Sequence, residues 1–369
     1  MKKILNKLSI GIALMISFDA AADINIAVVA PMRGDYKYFS EELIEGAKIA
    51  VDEINNRGGL HGEKINLIPI DDPCDDVLSL SASQMMALNK SDENKMHLVL
   101  GPHCSNSADE IADTLEKAQI IQILPTSVSQ ARYIKPHNNL VFFTGHSEEQ
   151  AKELVRFVTS HYPAQTLAVI YDERDDEMAS VAAAIAKSYA NSKTPNTFIS
   201  VPYRENIDAA IDGIVEKGID LAYIMGNYQQ VANIAEKLKD NDDGIILFAN
   251  RYQLHKKFAR KVEALSQNSF LLSLPPLTNN NHFASSLVRL RLWGIEPEGL
   301  MPYGYLSIKM WADAIKQAKS FNYKRIMRQL NNRLIDTGWD NITYTNGVPD
   351  KSLPYTIYRI HNGKYTQVY

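Results

Sequence analysis

From Ile24 onward the chain alternates between short apolar runs and longer segments in which apolar residues recur every three or four positions. INIAVVAP is a continuous apolar run of strand length. In the segment after it, Leu43, Ile44, Ala47, Ala50, Val51 and Ile54 share one helical face, with Ser40 placed to cap its start and Gly58 and Gly59 to end it. KINLIPI, MHLVLGP and QIIQILP repeat the strand pattern. Between them lie two helical patterns, VLSLSASQMMALN and a segment running to Ala118 that Ser107 and Glu110 open as a capping box. Apolar strands without alternation are buried on both faces, so this order predicts a parallel sheet covered by helices on each side.

The pattern restarts after Phe143. Ser147 and Gln150 read as a second capping box, followed by TLAVIYD, a helix from Met178 to Tyr189, NTFISVPY, a helix from Ile207, DLAYIMG, a helix from Gln229, and GIILFAN. A third section, residues 279–332, is helical and carries PYGYLSIKMWADAIKQA. The remainder, with Asn346-Gly347 and Asn362-Gly363, reads as short strands and tight turns. The sequence therefore predicts two α/β units without a flexible tether. Such units are joined by several chain crossings, which means a hinge and a cleft.

The first 22 residues read differently. Lys2, Lys3 and Lys7 precede the apolar run 8–18, and Ala20, Ala21 and Ala22 follow it. This is the layout of a secretory signal peptide cut after Ala22. An apolar run of about 11 residues falls short of the roughly 20 a membrane span needs. The mature chain is expected in the periplasm, not inserted in the membrane. At 369 residues and 45% hydrophobic the chain can build two cores, and its net charge of −4, with basic residues scattered, gives no surface for nucleic acid.

Export bears on Cys74 and Cys104. In an oxidising compartment a lone pair most simply forms one disulfide, and both cysteines directly follow strand patterns. A closed loop of about 30 residues would contribute roughly 3–4 kcal/mol. The alternative is two buried thiols.

Ligands of open parallel sheets bind beyond the carboxyl ends of the strands. In the first unit these are loops 31–39, 71–75, 101–107 and 125–129. The last two are rich in hydroxyls, and backbone N–H groups at a helix start suit a carboxylate or another small anion. Helix capping explains Ser105 and Ser107 from local sequence at least as well. Catalytic and metal chemistry find little support. His103, His137, His146 and His161 lack paired ligand spacing, RGGLHG follows a helix and is a turn, and GHSEE lacks the second glycine of a nucleophile elbow. The run Asp172, Glu173, Asp175, Asp176, Glu177 is best explained as a solvated loop and helix start. No metal, no cofactor and no enzymatic activity are expected.

The blocks INIAVVAPMRG, EGAKIAVDEINNRGGLHGEKINL, DDPCDD, VLGPHCSNS and ILPTSVS occur in the order of the leucine/isoleucine/valine-binding protein family, which the chain resembles over nearly its whole mature length. The resemblance implies a type I periplasmic binding fold: two doubly wound parallel-sheet lobes joined by a three-crossover hinge. Lobe 1 would comprise residues 23–143 and 278–352, and lobe 2 residues 144–277 and 353–369. It also implies a Cys74–Cys104 disulfide, a monomer, and a small-molecule ligand handed to the membrane permease of an ABC importer. By position, Ser105 and the backbone of Thr126, Ser127 and Val128 would hold a ligand carboxylate. Phe39 and Tyr305 would supply aromatic walls, and Asn227, Tyr228 and Arg251 would face them from the other lobe.

The pocket departs from the family at two positions. A hydroxyl that helps receive the ligand ammonium falls at Val128, and the acidic residue balancing that ammonium falls at Arg251. An ammonium buried beside a guanidinium would cost several kcal/mol, against roughly 8 kcal/mol for micromolar binding. Either Asp176 takes the ammonium from a new angle, or the ligand has none and Arg251, aided by Arg33, pairs with a second acidic group. The sequence thus predicts a receptor for a small polar ligand with a carboxylate. The competing readings are a periplasmic ligand sensor and a structural or regulatory protein with a decayed cleft.

Overall fold

A computed structural model describes residues 24–34, 37–72, 75–89, 95–102, 108–126, 128–129, 136–192, 194–204, 207–241, 244–250, 268–297 and 299–369. The first sheet has five parallel strands in the order β2-β1-β3-β4-β5: β1 (Ile24–Ala30), β2 (Ile65–Asp71), β3 (Met96–Leu100), β4 (Ile121–Leu124) and β5 (Leu140–Phe142). All residues of β1 are buried, as its unbroken apolar run requires. Helices α1 (Lys37–Asn56), α2 (Asp76–Leu88) and α3 (Ala108–Lys117) make the crossovers. Helix α1 starts ahead of Ser40, which is fully buried within it; the residue expected as a cap is a core residue.

The second sheet has seven strands in the order β15-β14-β10-β9-β8-β6-β7. Its parallel part is β6 (Thr166–Asp172), β7 (Thr197–Tyr203), β8 (Leu221–Ile224), β9 (Ile246–Ala249) and β10 (Ser269–Ser273). Strands β14 (Thr356–His361) and β15 (Lys364–Gln367) add an antiparallel edge. The helices of this lobe are α4 (Gln150–His161), α5 (Asp176–Asn191), α6 (Ile207–Val215) and α7 (Tyr228–Asn241). Strands β11 (Leu334–Asp336), β12 (Asn341–Thr345) and β13 (Val348–Pro349) form a third, small sheet. It caps the first: the Phe142 N–H donates to the Gly347 carbonyl at 2.8 Å. Both Asn-Gly pairs turn hairpins with positive φ, 51° and 75° at Asn346-Gly347 and 52° and 65° at Asn362-Gly363.

The chain passes between the two large sheets three times: after β5, after β10 and before β14. Between the second and third passes it returns to the first lobe as α8 (Ala284–Leu292), α9 (Met301–Ala318) and α10 (Tyr323–Leu330). Helix α9 lies along α1 so closely that a Cβ on Gly304 would land on the Leu43 carbonyl, and one on Gly46 on the Met301 carbonyl. Farther along this seam Glu53, 3% exposed, takes the Tyr305 hydroxyl at 2.6 Å, Arg289 at 2.5 Å and Lys309 at 3.3 Å. Burial would raise this carboxyl, but the Tyr305 hydrogen bond and the charges of Lys309 and Arg289 outweigh it and hold it below its ordinary value.

Candidate functional site

Strands β1 to β4 are parallel, so their carboxyl ends share one edge, and the loops leaving it are anchored from below. Asp71, at the end of β2, accepts from the Met32 N–H at 2.8 Å and from Arg33 Nε at 2.7 Å, and these contacts hold its carboxyl low. The neighbouring Asp72 is fully buried; its N–H donates to the Ala30 carbonyl at 3.0 Å and its carboxylate accepts from Ser79 at 2.5 Å. Gln122 reaches from β4 to donate to the Gly101 carbonyl at 2.8 Å. Beneath the loops, Val28–Ala30, Leu43, Leu100–Pro102 and Leu124–Thr126 leave a void of only about 10 Å³. The strand ends are packed shut.

Thr126 and Val128 lie in the loop after β4, both buried, and Val128 packs with Leu124, Leu140 and Phe142. Arg33, expected to enrich a cationic pocket, is instead paired with Asp71 at 2.6 Å while its side chain stays 81% exposed. Tyr305, expected as an aromatic wall, has its ring fully buried in the α1–α9 seam and its hydroxyl on Glu53. Phe39 belongs to the first turn of α1. Ser105, Ser127, Arg251, Cys74 and Cys104 lie outside the described residues.

On the other lobe, Asn227 caps α7. Its side-chain oxygen accepts the Gln230 N–H at 2.9 Å, and the Gln230 side chain returns the bond to the Asn227 N–H at 2.8 Å. The spacing Asn-x-x-Gln is the sequence signal of this reciprocal cap. Tyr228 is the first residue of α7. Asp176 stands exposed at the first position of α5, with Asp175 as the cap accepting from Glu177 and Met178 N–H groups. The acidic run is otherwise committed locally. Asp172 binds Arg174 at 2.7 Å, which outweighs burial and keeps its carboxyl low, and Glu173 pairs with Arg204.

The crossing after β5 runs beside the loop after β4. Val128 and His146 form a parallel bridge, and the Ser147 N–H donates to the Val128 carbonyl at 3.0 Å. The expected capping box is absent here: Ser147–Glu149 is a 3-10 turn, and Gln150 donates to the Ser147 carbonyl at 2.8 Å while accepting the buried Tyr223 hydroxyl at 2.5 Å. On that turn, Glu148 Oε1 accepts two hydroxyls, Ser129 from the β4 loop and Ser180 from α5, the latter at 2.6 Å. The first and third crossings touch, with the Leu353 N–H donating to the Thr144 carbonyl at 2.9 Å.

A cleft of about 750 Å³ opens along the second crossing. Glu42, Leu300 and Tyr303 line it from the first lobe, and Tyr358 and Tyr365 from the second, with Pro275 and Pro276 between them. None of the candidate ligand residues among the described residues lines it. Among the described residues no group of three or more His, Cys, Asp or Glu is placed to hold a metal ion, and no helix is long and apolar enough to cross a membrane.

A family model described as periplasmic binding protein matches residues 23–364. The chain belongs to this family. An amino acid binding protein of Pseudomonas aeruginosa is 22% identical over 98% of this chain and 96% of its own length. A Leu/Ile/Val-binding protein, BraC3, of Rhizobium johnstonii is 26% identical, but that match spans 60% of this chain and 59% of the relative. Among solved structures, the leucine binding protein LivK of Thermotoga maritima superposes with a TM-score of 0.80 at 19% identity, covering 94% of this chain and 98% of that one. The two-lobed type I fold is thereby shared. Members of the family are substrate-binding proteins.

Proposed function

We propose that the protein is the periplasmic receptor of a branched-chain-amino-acid-type ABC importer, exported by its first 22 residues and closing on one small polar ligand that carries a carboxylate. The observation that supports this most is the edge of the first sheet. The carboxyl ends of four parallel strands lie there side by side, and Thr126, Val128 and Ser129, after β4, lie next to the crossing that joins the lobes. Two lobes connected at three crossings can rotate about them, and a ligand touching both shifts the open–closed equilibrium that a permease reads. Ser105 and the backbone around Thr126 would hold the carboxylate, and Cys74 and Cys104 would join two of the loops. Catalysis plays no part in this reading.

The ligand need not be a branched-chain amino acid. Val128 packs its side chain into the core, where a family hydroxyl would have helped receive an ammonium, and by the resemblance Arg251 would take the position of the ammonium's counter-charge. With Arg33 bound to Asp71, Arg251 is the principal candidate for a second acidic group. A thermal-shift screen of the chain from Asp23 against amino acids, monocarboxylates, dicarboxylates and amides tests this. A ligand at 100 times its dissociation constant adds about 2.7 kcal/mol. Stabilisation by dicarboxylates, abolished in Arg251→Ala, is the expected result. Stabilisation by leucine-like amino acids would overturn the role of Arg251 and assign the ammonium to Asp176. Turnover of any ligand would refute the receptor reading.

A further inference from the structure

We propose that Glu148 couples the two lobes, transmitting the position of the loop after β4 in one lobe to the start of α5 in the other. The inference rests on the reading of loop 125–129 as a ligand-holding loop. A single oxygen, Oε1, is the acceptor for both Ser129 and Ser180. Ser129 is fully buried and directly follows Val128. Ser180 lies one helical turn beyond Asp176 on α5, and residues four apart share a helix face. Because both hydroxyls converge on one atom, neither can shift far without releasing the other or dragging it along.

The backbone gives this linkage its fulcrum. Glu148 sits on the turn that ends the first crossing, and that turn is stitched to the ligand loop through the Val128–His146 bridge and the bond from Ser147 to the Val128 carbonyl. On its other side the same turn packs against α5 and runs directly into α4. A displacement of loop 125–129 on ligand contact therefore reaches the start of α5 through one side chain. Glu148 is a positioning residue. It acts through Ser129 and Ser180, and its part in the coupling is geometric: an acceptor oxygen at that place is needed, and a charge is not.

Hydrogen–deuterium exchange on the ligand-free protein tests this without knowledge of the ligand. Ser129→Ala is expected to speed exchange in the first turns of α5 at least about tenfold, because the described contact from Ser129 toward that helix runs through Glu148. Glu148→Ala is expected to loosen both loop 125–129 and α5, and Glu148→Gln, which keeps an acceptor oxygen, to restore protection in both. A Ser129→Ala effect confined to its own loop overturns the coupling, as does failure of Glu148→Gln to rescue. A parallel titration of the wild type with L-leucine and with succinate separates this inference from the receptor reading. Coupled exchange without binding of either leaves the linkage standing and counts against that reading for these ligand classes. Binding without coupled exchange refutes the linkage alone.

Discussion

Two carboxylates hold this molecule together at points of opposite character. Glu53 lies deep in the α1–α9 seam among Arg289, Lys309 and the Tyr305 hydroxyl, with Arg57 at 3.0 Å on its outer side. Glu148 lies at the first crossing and accepts serine hydroxyls from both lobes. The first arrangement neutralises a buried charge with several cations, so removing the carboxylate leaves those cations uncompensated. The second is made of two hydroxyl bonds to one carboxylate oxygen, at the crossing about which the receptor reading has the lobes turn. On the receptor reading, ion pairing falls in the part of the fold that stays fixed, and hydroxyl bonding in the part that bends.

The largest effect is expected at Glu53. Glu53→Gln leaves Arg289 and Lys309 side by side without their counter-charge, at a cost of about 3 kcal/mol, measurable as a lower urea midpoint with an unchanged slope. The same substitution changes the acid limb of stability. The folded carboxyl titrates below its ordinary 4.5, so below that pH the unfolded chain binds the extra proton and folding weakens as pH falls. The wild type should lose stability from about pH 4.5 downward, and Glu53→Gln should flatten that loss. A variant equally acid-sensitive would show that other carboxylates set the limb.

Gly304→Ala comes next. The added methyl meets the Leu43 carbonyl, so α1 and α9 must part, costing about 1–3 kcal/mol and lowering the melting temperature. Tyr305→Phe removes one hydroxyl and leaves the cations in place. About 1.5 kcal/mol is expected, with exchange slowed nowhere and quickened only along the seam. Ser180→Ala is the smallest, about 1 kcal/mol or less in unfolding. If its loss of stability equals that of Glu53→Gln, the contrast between a rigid and a compliant carboxylate fails.

The periodicity made the architecture legible. Strands buried on both faces, helices with one apolar stripe and Asn-Gly turns appear in the structure close to where the pattern places them. Strand β5 was not legible, because three residues carry no period. The helix starts were misread wherever tertiary packing decided them. Ser40 has the chemistry of a cap but lies buried inside a helix that already begins at Lys37, and Gln150 turns its amide to the Ser147 carbonyl while Tyr223 claims its oxygen. In the site, a residue's neighbours in space redirected its role. Arg33 found Asp71 across 38 positions, Tyr305 found Glu53 across 252, and Asn227 found Gln230 three residues on. The importance of Glu148 lies in two serines on different lobes, and no local pattern announces that.

The α1–α9 seam also dictates an order of events. Its two helices are neighbours in the finished first lobe, yet the bond from Tyr305 to Glu53 spans 252 positions and the one from Leu300 to Glu42 spans 258. Almost the whole second lobe is threaded between them. The first lobe cannot close its core until that insertion has emerged, and closing so long a loop raises the entropic barrier and slows the final step. Until then one face of α1 stays uncovered, which makes the nearly complete chain a slow folder with an exposed apolar stripe, the kind of intermediate that chaperones hold.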